Sequence, residues 1–389
     1  MITCLQVHND YLIPGGETKS VKLIANVLEN NGIKVIRYYR DNTALKDAGI
    51  VEKGLAGIKS VYNNDTVKEI ENILSVEHID FALVHNISPM ISNSIYAVLI
   101  KHRIKIYKYM QNYNLVCLNG ALDKGSECDI CRNKPMHGVK LKCYKGSRIY
   151  SLQKCIAKDL LWKKYINDIS GFIAISEYVK NKHAQLGIPK EKITVLYHFC
   201  EDKPRILSRQ NNEKYVVYMG RLSQEKGITT LIKAMQENPQ VILKIMGKGP
   251  IEEELKAFVL KNKMSNIQFL GYKTGEEKNN IIGNAMALIA PSEWEEPFGR
   301  IAIEAYQVGT PVIASAIGGL KELVKSGVTG FLFDAGNVLQ LENHIKYMSM
   351  KSDSELNIMR ENCVRLAEEK FTEEAYFENF CSAMKLENK

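Results

Sequence analysis

The sequence predicts an α/β protein built from two Rossmann-like domains, each with a doubly wound parallel sheet. The chain has 389 residues, which suits two domains that each hold their own core. Apolar runs of strand length alternate with amphipathic helical runs through the first 200 residues, and the alternation restarts near residue 215. This order is typical of parallel sheets covered by helices on both faces.

The elements of the first domain, residues 1–200, follow from hydrophobic periodicity. The first predicted helix places Val21, Ile24 and Leu28 on one face, and Gly32 after it suits a helix C-cap. The predicted strands are 2–7, 33–38, 79–85, 104–110, 171–175 and 193–197. The predicted helices are 18–30, 65–76, 90–101 and one that begins at Ser176.

A polar stretch at 200–213 predicts a linker, and the second domain is assigned to residues 201–370. The predicted strands of this domain are 215–219, 241–246, 267–270, 285–290, 312–314 and 330–333. The predicted helices are 228–236 and 251–261. The tail from 353 to 386 is predicted to be helical, with residues 371–389 as a separate C-terminal helix.

The composition is that of a soluble globular protein, with 45% apolar and 25% charged residues. No apolar run approaches the length that spans a bilayer. The N-terminal residues lead directly into a strand without a basic segment, so we expect no signal peptide and a cytoplasmic protein.

Positive charge is concentrated in the first domain. Residues 1–200 contain 28 Lys and Arg against 18 Asp and Glu, and the segment from Arg132 to Lys164 contains ten basic residues and one acid, Asp159. This excess is either a solvated surface or a face for an anionic membrane or a diphosphate-linked acceptor. We expect no nucleic-acid partner, because no nucleic-acid-binding signature accompanies the charge.

The most informative motif is Pro-Ser-Glu-Trp-Glu-Glu-Pro-Phe-Gly-Arg-Ile-Ala-Ile-Glu-Ala at 291–305. Glu296 precedes a Pro-Phe-Gly turn, and Glu304 follows in an apolar helical run. Strand ends that face a helix N-terminus are where open α/β sheets bind ligands. Two carboxylates placed there could accept hydrogen bonds from a polyol such as a nucleotide sugar.

Two further segments indicate an anionic ligand. Arg221 and Lys226 follow the first strand of the second domain, where they could neutralise a departing nucleoside diphosphate. The alternative is a surface ion pair with Glu225. Gly15 and Gly16 lie in the first βα turn, where glycines let the backbone approach a ligand and helix N–H groups favour an anion.

These segments, in this order, resemble the signature of family 4 glycosyltransferases of the bacterial surface-polysaccharide type. The quoted residues are Pro14–Glu17, Gly220–Gly227, Pro291–Ala305, Gly309–Ser315 and Gly318–Glu322. The likeness is strong over residues 215–335 and weaker in the first hundred residues. It implies the GT-B fold, in which two Rossmann-like domains face each other across a cleft and the last helix returns to the first domain.

The resemblance also implies an activity. A retaining enzyme of this family moves a sugar from a nucleotide-diphosphate sugar to a glycan or a polyprenyl-diphosphate-linked acceptor, and no catalytic metal is expected. Glu304 would bind the donor ribose, and Glu296 would hold a hydroxyl of the transferred sugar. The backbone N–H groups of Phe298 and Gly299 would contact the same sugar.

The remaining roles concern the diphosphate and the catalytic group. By resemblance, Gly15 and Gly16 contact the donor diphosphate or the acceptor. We assign catalysis to Glu296, Arg221, Lys226 and His85, which would act by positioning and charge stabilisation without an acid–base pair. His85 ends a predicted strand, where it could bind a sugar or be a satisfied structural histidine.

Four of the nine cysteines are clustered within the segment 112–148: Cys117, Cys128, Cys131 and Cys143. A Cys-x2-Cys element with two further thiols suits a structural zinc site, and disulfides are not expected in a reducing compartment. The segment is expected to be a small, loop-rich insert. The alternative is that these cysteines are unpaired small apolar residues.

Two other functions remain open at this point. One is another GT-B enzyme, such as a sugar-nucleotide epimerase. The other is a basic, zinc-stapled binding module without catalysis, which would account for the cysteines and the charge but not for the glutamate pair.

Overall fold

The computed structural model describes residues 1–10, 16–42, 57, 59–122, 128, 130–131, 134–201 and 213–386. They form two compact units. The first comprises Met1–Leu196 with Asn379–Lys389, and the second comprises Tyr197–Glu378. Most of the predicted linker lies outside the described residues, as do Gly15 and Arg132.

The first unit is built on a parallel sheet. Its strands are β1 Thr3–Asn9, β2 Lys34–Arg40, β3 Phe81–Val84, β4 Lys105–Met110, β5 Gly171–Ala174 and β6 Ile193–Val195. Their order in the sheet is β2-β1-β3-β4-β5-β6. Every residue of β1 and β3 is buried, as expected for a parallel sheet covered on both faces. The strand order reverses between β1 and β3.

Helices connect these strands. They are α1 Gly16–Asn30, α2 Asn64–Val76, α3 Ser94–Lys101, α4 Met136–Lys140, α5 Arg148–Lys164 and α6 Glu177–Gln185. Side chains of Asn63, Ser147 and Ser176 accept backbone N–H bonds at the starts of α2, α5 and α6. The C-terminal segment joins this unit, where the Phe380 ring lies 6.1 Å from the Phe81 ring.

The cysteine-containing segment contains more helix than the sequence predicts. The insert holds α4, and α5 follows it directly. The periodicity of α5 is weak because lysines interrupt its apolar face, and its buried residues are only Ser151, Cys155 and Leu161.

The second unit is also built on six parallel strands. They are β7 Tyr215–Met219, β8 Ile242–Met246, β9 Ile267–Gly271, β10 Ala287–Ala290, β11 Val312–Ser315 and β12 Gly330–Phe333. Their order is β12-β11-β10-β7-β8-β9, which is the Rossmann order. The order reverses between β7 and β10, and ligands of such sheets bind at the carboxyl ends of the strands beside that point.

The helices of the second unit pack on this sheet and follow the predicted pattern in part. They are α7 Ile228–Gln236, α8 Glu252–Lys261, α9 Gly275–Gly283, α10 Arg300–Gln307, α11 Leu320–Leu323, α12 Val338–Met350, α13 Asp353–Lys370 and α14 Glu373–Met384, the last of which extends into the C-terminal segment of the first unit. Ser352 and Glu355 form a capping box that starts α13.

The two parallel sheets confirm the predicted fold class. None of the helices within the described ranges is both long and apolar enough to cross a bilayer.

Candidate active site

The carboxyl ends of β7 and β10 bring Lys226 and Glu296 together. Lys226 ends the short 3-10 turn that follows β7, and Glu296 lies in the loop that follows β10. Lys226 Nζ lies 2.5 Å from Glu296 Oε2, and the side chains are 26% and 18% exposed. Gly227 permits this approach, because a Cβ at that position would lie 1.7 Å from the carbonyl oxygen of Pro291.

Two further side chains hold the Glu296 carboxylate. Trp294 Nε1 donates to Glu296 Oε2 over 3.0 Å, and Ser292 Oγ lies 3.3 Å from the same oxygen. The Lys226 ammonium also lies 4.9 Å from the centre of the Trp294 ring. All three donors use Oε2, and Oε1 takes part in none of the hydrogen bonds found among the described residues.

Arg221 lies at the end of the same strand, with an exposed side chain. The alternative of an ion pair with Glu225 does not occur here. Ser223 Oγ donates to Glu225 over 2.6 Å, and the Arg221 guanidinium has no ion pair within the part of the chain that the structure describes. The guanidinium is therefore available to an anion.

The Pro-Phe-Gly turn presents two backbone donors at the start of α10. Phe298 and Gly299 are both buried residues, and Gly299 precedes the helix in a left-handed conformation with φ 99°. Within the described residues, the N–H groups of Phe298 and Gly299 have no hydrogen-bond acceptor. Buried N–H groups require a partner, and a ligand oxygen would supply one.

Glu304 is held by two cations, of which Lys278 lies outside the sequence motif and Arg300 lies inside it. Lys278 Nζ from α9 lies 2.8 Å from Glu304 Oε2, and Arg300 Nε lies 3.8 Å from Glu304 Oε1. Glu304 is 18% exposed, so these contacts fix the carboxylate in a half-buried position on α10.

Three residues of this site were missed by sequence reasoning: Trp294, Lys278 and His198. Trp294 lies inside the quoted motif, so its position was the available signal. His198 is buried, and the centre of its ring lies 5.2 Å from the centre of the Phe298 ring. Burial, together with the positive charge of Arg300, holds the pKa of His198 well below its ordinary value, so this imidazole is neutral at pH 7.

The predicted residues of the first unit lie at its own strand ends. Gly16 is the first residue of α1, and the neighbouring Glu17 accepts a bond of 2.8 Å from Asn112. His85 is fully buried, with Nδ1 3.1 Å from Gln111 Oε1 and Nε2 3.2 Å from the Gln6 amide nitrogen. Direct contact between His85 and a substrate stays a prediction, and it requires the ring to exchange one of these partners.

The four predicted zinc ligands lie in the first unit. A hydrogen bond with Cys128 is the main cause that lowers the pKa of Cys117 to about 6, while Cys143 packs against Leu118, Val139 and Cys155. Among the described residues, no three His, Cys, Asp or Glu side chains are grouped so that they could hold a metal ion. The present positions of the thiols therefore do not form a metal centre, and the zinc site stays a prediction.

Comparison with known proteins identifies the second unit. The sequence profile described as "Glycosyl transferases group 1" matches residues 200–369. The chain contains a group 1 glycosyltransferase domain and is a glycosyltransferase. It thus carries out nucleotide-sugar-dependent transfer and is an enzyme of the hexosyltransferase type, which decides against a binding module without catalysis.

Similar sequences support this family. An uncharacterised 42.6 kDa protein of the cps region of Klebsiella pneumoniae is 27% identical over 301 residues, which cover 76% of this chain and 74% of that protein. An uncharacterised glycosyltransferase of Methanocaldococcus jannaschii is 28% identical over 200 residues, which cover 51% of this chain and 55% of that protein.

Solved structures extend the likeness of this glycosyltransferase to the whole chain. HepE of Anabaena, in complex with UDP and glucose, has a TM-score of 0.69 and 18% identity over 100% of both chains. Sucrose-phosphate synthase of Thermosynechococcus elongatus has a TM-score of 0.71 and 17% identity, covering 99% of this chain and 98% of that one. At this identity the likeness concerns the fold, and it confirms the predicted GT-B fold.

Proposed function

We propose that this glycosyltransferase moves a sugar, with retention of anomeric configuration, from a nucleoside-diphosphate donor to a glycan or polyprenyl-diphosphate-linked acceptor in bacterial polysaccharide synthesis. The observation that carries the proposal is the meeting of Lys226, Glu296 and the unpaired N–H groups of Phe298 and Gly299 at the switch point of the second sheet. Cation, carboxylate and helix N-terminus together suit a sugar joined to a diphosphate.

Each group has a part in the reaction. Negative charge grows on the diphosphate as the bond to the sugar breaks, so Lys226 and Arg221 stabilise the transition state more than the bound donor. Lys226 is now paired with Glu296, and binding of the donor would move the ammonium toward the phosphate. Glu296 Oε1 then accepts a hydrogen bond from a hydroxyl of the transferred sugar. The N–H groups of Phe298 and Gly299 contact the same sugar.

Glu304 anchors the nucleoside in this scheme. Lys278 and Arg300 orient its carboxylate, whose oxygens would accept hydrogen bonds from the two ribose hydroxyls. No carboxylate is assigned as a nucleophile. The donor phosphate takes the proton of the acceptor hydroxyl on the face from which it leaves, which accounts for retention.

The relatives support the donor and the biological setting. HepE has been crystallised with UDP and with UDP-glucose, so a uridine nucleotide is the first donor class to examine. The Klebsiella relative is encoded in a cps region. The positive charge of residues 1–200 suits an anionic acceptor, and we place the enzyme in the cytoplasm, in peripheral contact with an anionic membrane.

A donor panel tests the proposal. Thermal denaturation with nucleoside diphosphates, followed by measurement of nucleotide-sugar hydrolysis, should single out one base and one sugar. The anomer first released from that donor, observed by NMR, should match the donor. Stabilisation by none of the nucleoside diphosphates would reject the donor site, and release of the opposite anomer would reject retention.

A further inference from the structure

A pocket that is partly open to solvent lies within the first unit beside the carboxyl ends of β3 and β4. Helices α3 and α5 supply its other walls. Its polar lining includes Glu17, Tyr96, Asn112 and the lysines Lys108, Lys154 and Lys158. Like the site of the second unit, it lies at the strand ends where parallel sheets bind ligands.

The three lysines make the pocket positive. Their ammonium groups donate only to neutral oxygens: Lys108 to the carbonyl of His85, Lys154 to Ser88 Oγ over 2.6 Å, and Lys158 to the carbonyl of Val116 over 2.9 Å. In the described ranges, no carboxylate lies within 4.0 Å of any of these three ammonium groups. Lys108 is buried, and Lys154 and Lys158 are half-buried. Charges withdrawn from water are ordinarily paired, so an anion would complete this arrangement.

The pKa shifts of Lys108 and Lys154 agree with that conclusion. Burial is the main cause that lowers the pKa of Lys108 to about 8, and the charge of Lys154 lowers it further, whereas Glu17 raises it. Burial likewise lowers the pKa of Lys154 to about 8, and Lys145 adds to the effect. A bound anion would stabilise the charged form of both lysines.

Tyr96 supplies a second, independent observation. It is 0% exposed and lines the pocket, and its hydroxyl has no hydrogen-bond partner among the described residues. A buried hydroxyl without a partner is uncommon, and a ligand oxygen would satisfy it. Three ammonium donors and a hydroxyl donor, placed on β4, α5 and α3, suit an anion with several oxygens better than a single carboxylate.

We propose that the pocket binds a phosphate group of the acceptor substrate through Lys108, Lys154, Lys158 and Tyr96. The proposal rests on the proposed function, because an acceptor exists only if the enzyme transfers sugar. The phosphate could belong to an isoprenoid diphosphate or to a soluble sugar phosphate, and both present the same chemistry to these residues. The pocket would thus select phosphorylated acceptors over neutral glycans.

The test measures binding of inorganic diphosphate to the full-length enzyme by calorimetry, after the donor site has been saturated with UDP. Binding of UDP is recorded first and reports on the donor site alone. The wild type should then bind one further equivalent of inorganic diphosphate. The double variant Lys154→Met/Lys158→Met should bind it at least about tenfold more weakly, since each lysine would give a charged hydrogen bond.

Two variants separate a binding role from a structural one. Lys163→Met removes an exposed lysine of the same helix, whose partner is Asp159, and should leave diphosphate binding unchanged. Tyr96→Phe removes only the hydroxyl and should weaken binding several-fold. UDP binding should be the same in all variants.

Competition then assigns the source of the phosphate. Displacement of inorganic diphosphate by geranyl diphosphate would indicate a lipid-linked acceptor, and displacement by a sugar phosphate alone would indicate a soluble one. The proposal is overturned if UDP binds but no second equivalent of diphosphate does, or if the double variant binds as tightly as Lys163→Met. If the wild type does not bind UDP at all, the proposed donor site is rejected instead.

Discussion

Lys226 and Glu296 form an ion pair 2.5 Å long that joins the strand end of β7 to that of β10. The two residues are 70 positions apart in the chain, and the sheet order brings them together because β7 and β10 are neighbours. Trp294 contacts both members of the pair. The pair therefore holds the ammonium of Lys226, which is proposed to bind the diphosphate, next to the carboxylate that is proposed to bind the transferred sugar.

Removal of Lys226 should impair turnover more than donor binding. In Lys226→Met, the diphosphate loses a charged hydrogen bond that strengthens toward the transition state, so we expect kcat to fall about 10- to 100-fold while KM changes less. Lys233→Met, an exposed lysine on α7, is the matched control. A rise in KM with no change in kcat would instead show that Lys226 binds the donor equally in the ground state and the transition state. Arg221→Ala should show the same kinetic pattern as Lys226→Met.

Glu304→Ala should weaken nucleoside diphosphate binding. The proposed bonds to the ribose are lost, and Lys278 and Arg300 are left without their carboxylate, at a cost of roughly 1.5–3 kcal/mol for a hydrogen bond to a charged group. Calorimetry of the matching nucleoside diphosphate measures the loss, with Glu361→Ala, an exposed glutamate of α13, as control. An unchanged affinity would remove Glu304 from the donor site.

The sequence predicted the second unit well because its strands are continuous apolar runs between glycines and polar turns. All six strands of that sheet lie within a few residues of their predicted positions, and the motif residues Lys226 and Glu296 lie next to each other. Glu296 and Glu304 could be found from the sequence because they flank a Pro-Phe-Gly turn directly after a strand. This combination is more specific for a ligand site than a pair of acidic residues alone.

The rest depends on contacts that no local pattern carries. Lys278 lies in a helix without a motif, and its ion pair with Glu304 joins two helices that are separate in the sequence. Helix α5 was missed because its lysines break the apolar stripe, yet Lys154 and Lys158 of that helix line the pocket of the first unit. The assignment of His85 rested on its place at a strand end, and sequence alone could not reveal its bonds to Gln6 and Gln111.

Gly318→Ala should disrupt the donor site through the backbone. Gly318 has φ 57°, and a Cβ there would lie 2.2 Å from the carbonyl oxygen of Glu296. The loop that carries Glu296 must move, so we expect donor binding to be lost together with stability. Gly327→Ala is the matched control, because its φ is 79° but nothing lies within 4 Å. It should cost only the strain of a left-handed residue, about 1–2 kcal/mol, and leave activity intact. Equal activity of the two variants would contradict this account.

The predicted zinc site can be tested by chemical analysis. If Cys117, Cys128, Cys131 and Cys143 bind structural zinc, freshly purified enzyme should contain about one zinc per chain, and Cys131→Ser should lose it. Cys363→Ser is the control, since this buried cysteine lies in the second unit. If the purified enzyme contains no zinc, or if the Cys131→Ser variant retains it, the site is rejected and the four cysteines are packing residues.

His183 should make the first unit sensitive to acid. The residue is fully buried on α6, its Nδ1 lies 2.8 Å from the carbonyl of Val179, and its Nε2 has no hydrogen-bond partner among the described residues. Burial is the main cause that lowers its pKa to about 4 from the model-compound value of 6.5. Between these values the unfolded chain binds a proton that the folded chain does not, so stability is complete above pH 6.5 and falls as the pH drops toward 4. At pH 5 the loss should be about 2 kcal/mol.

Urea titrations at pH 7.5 and pH 5.0 measure the decrease in the free energy of unfolding. His183→Leu should show a smaller decrease than the wild type, whereas His78→Leu, at an exposed position, should show the same decrease. A decrease in His183→Leu equal to that of the wild type would show that other groups cause the acid sensitivity.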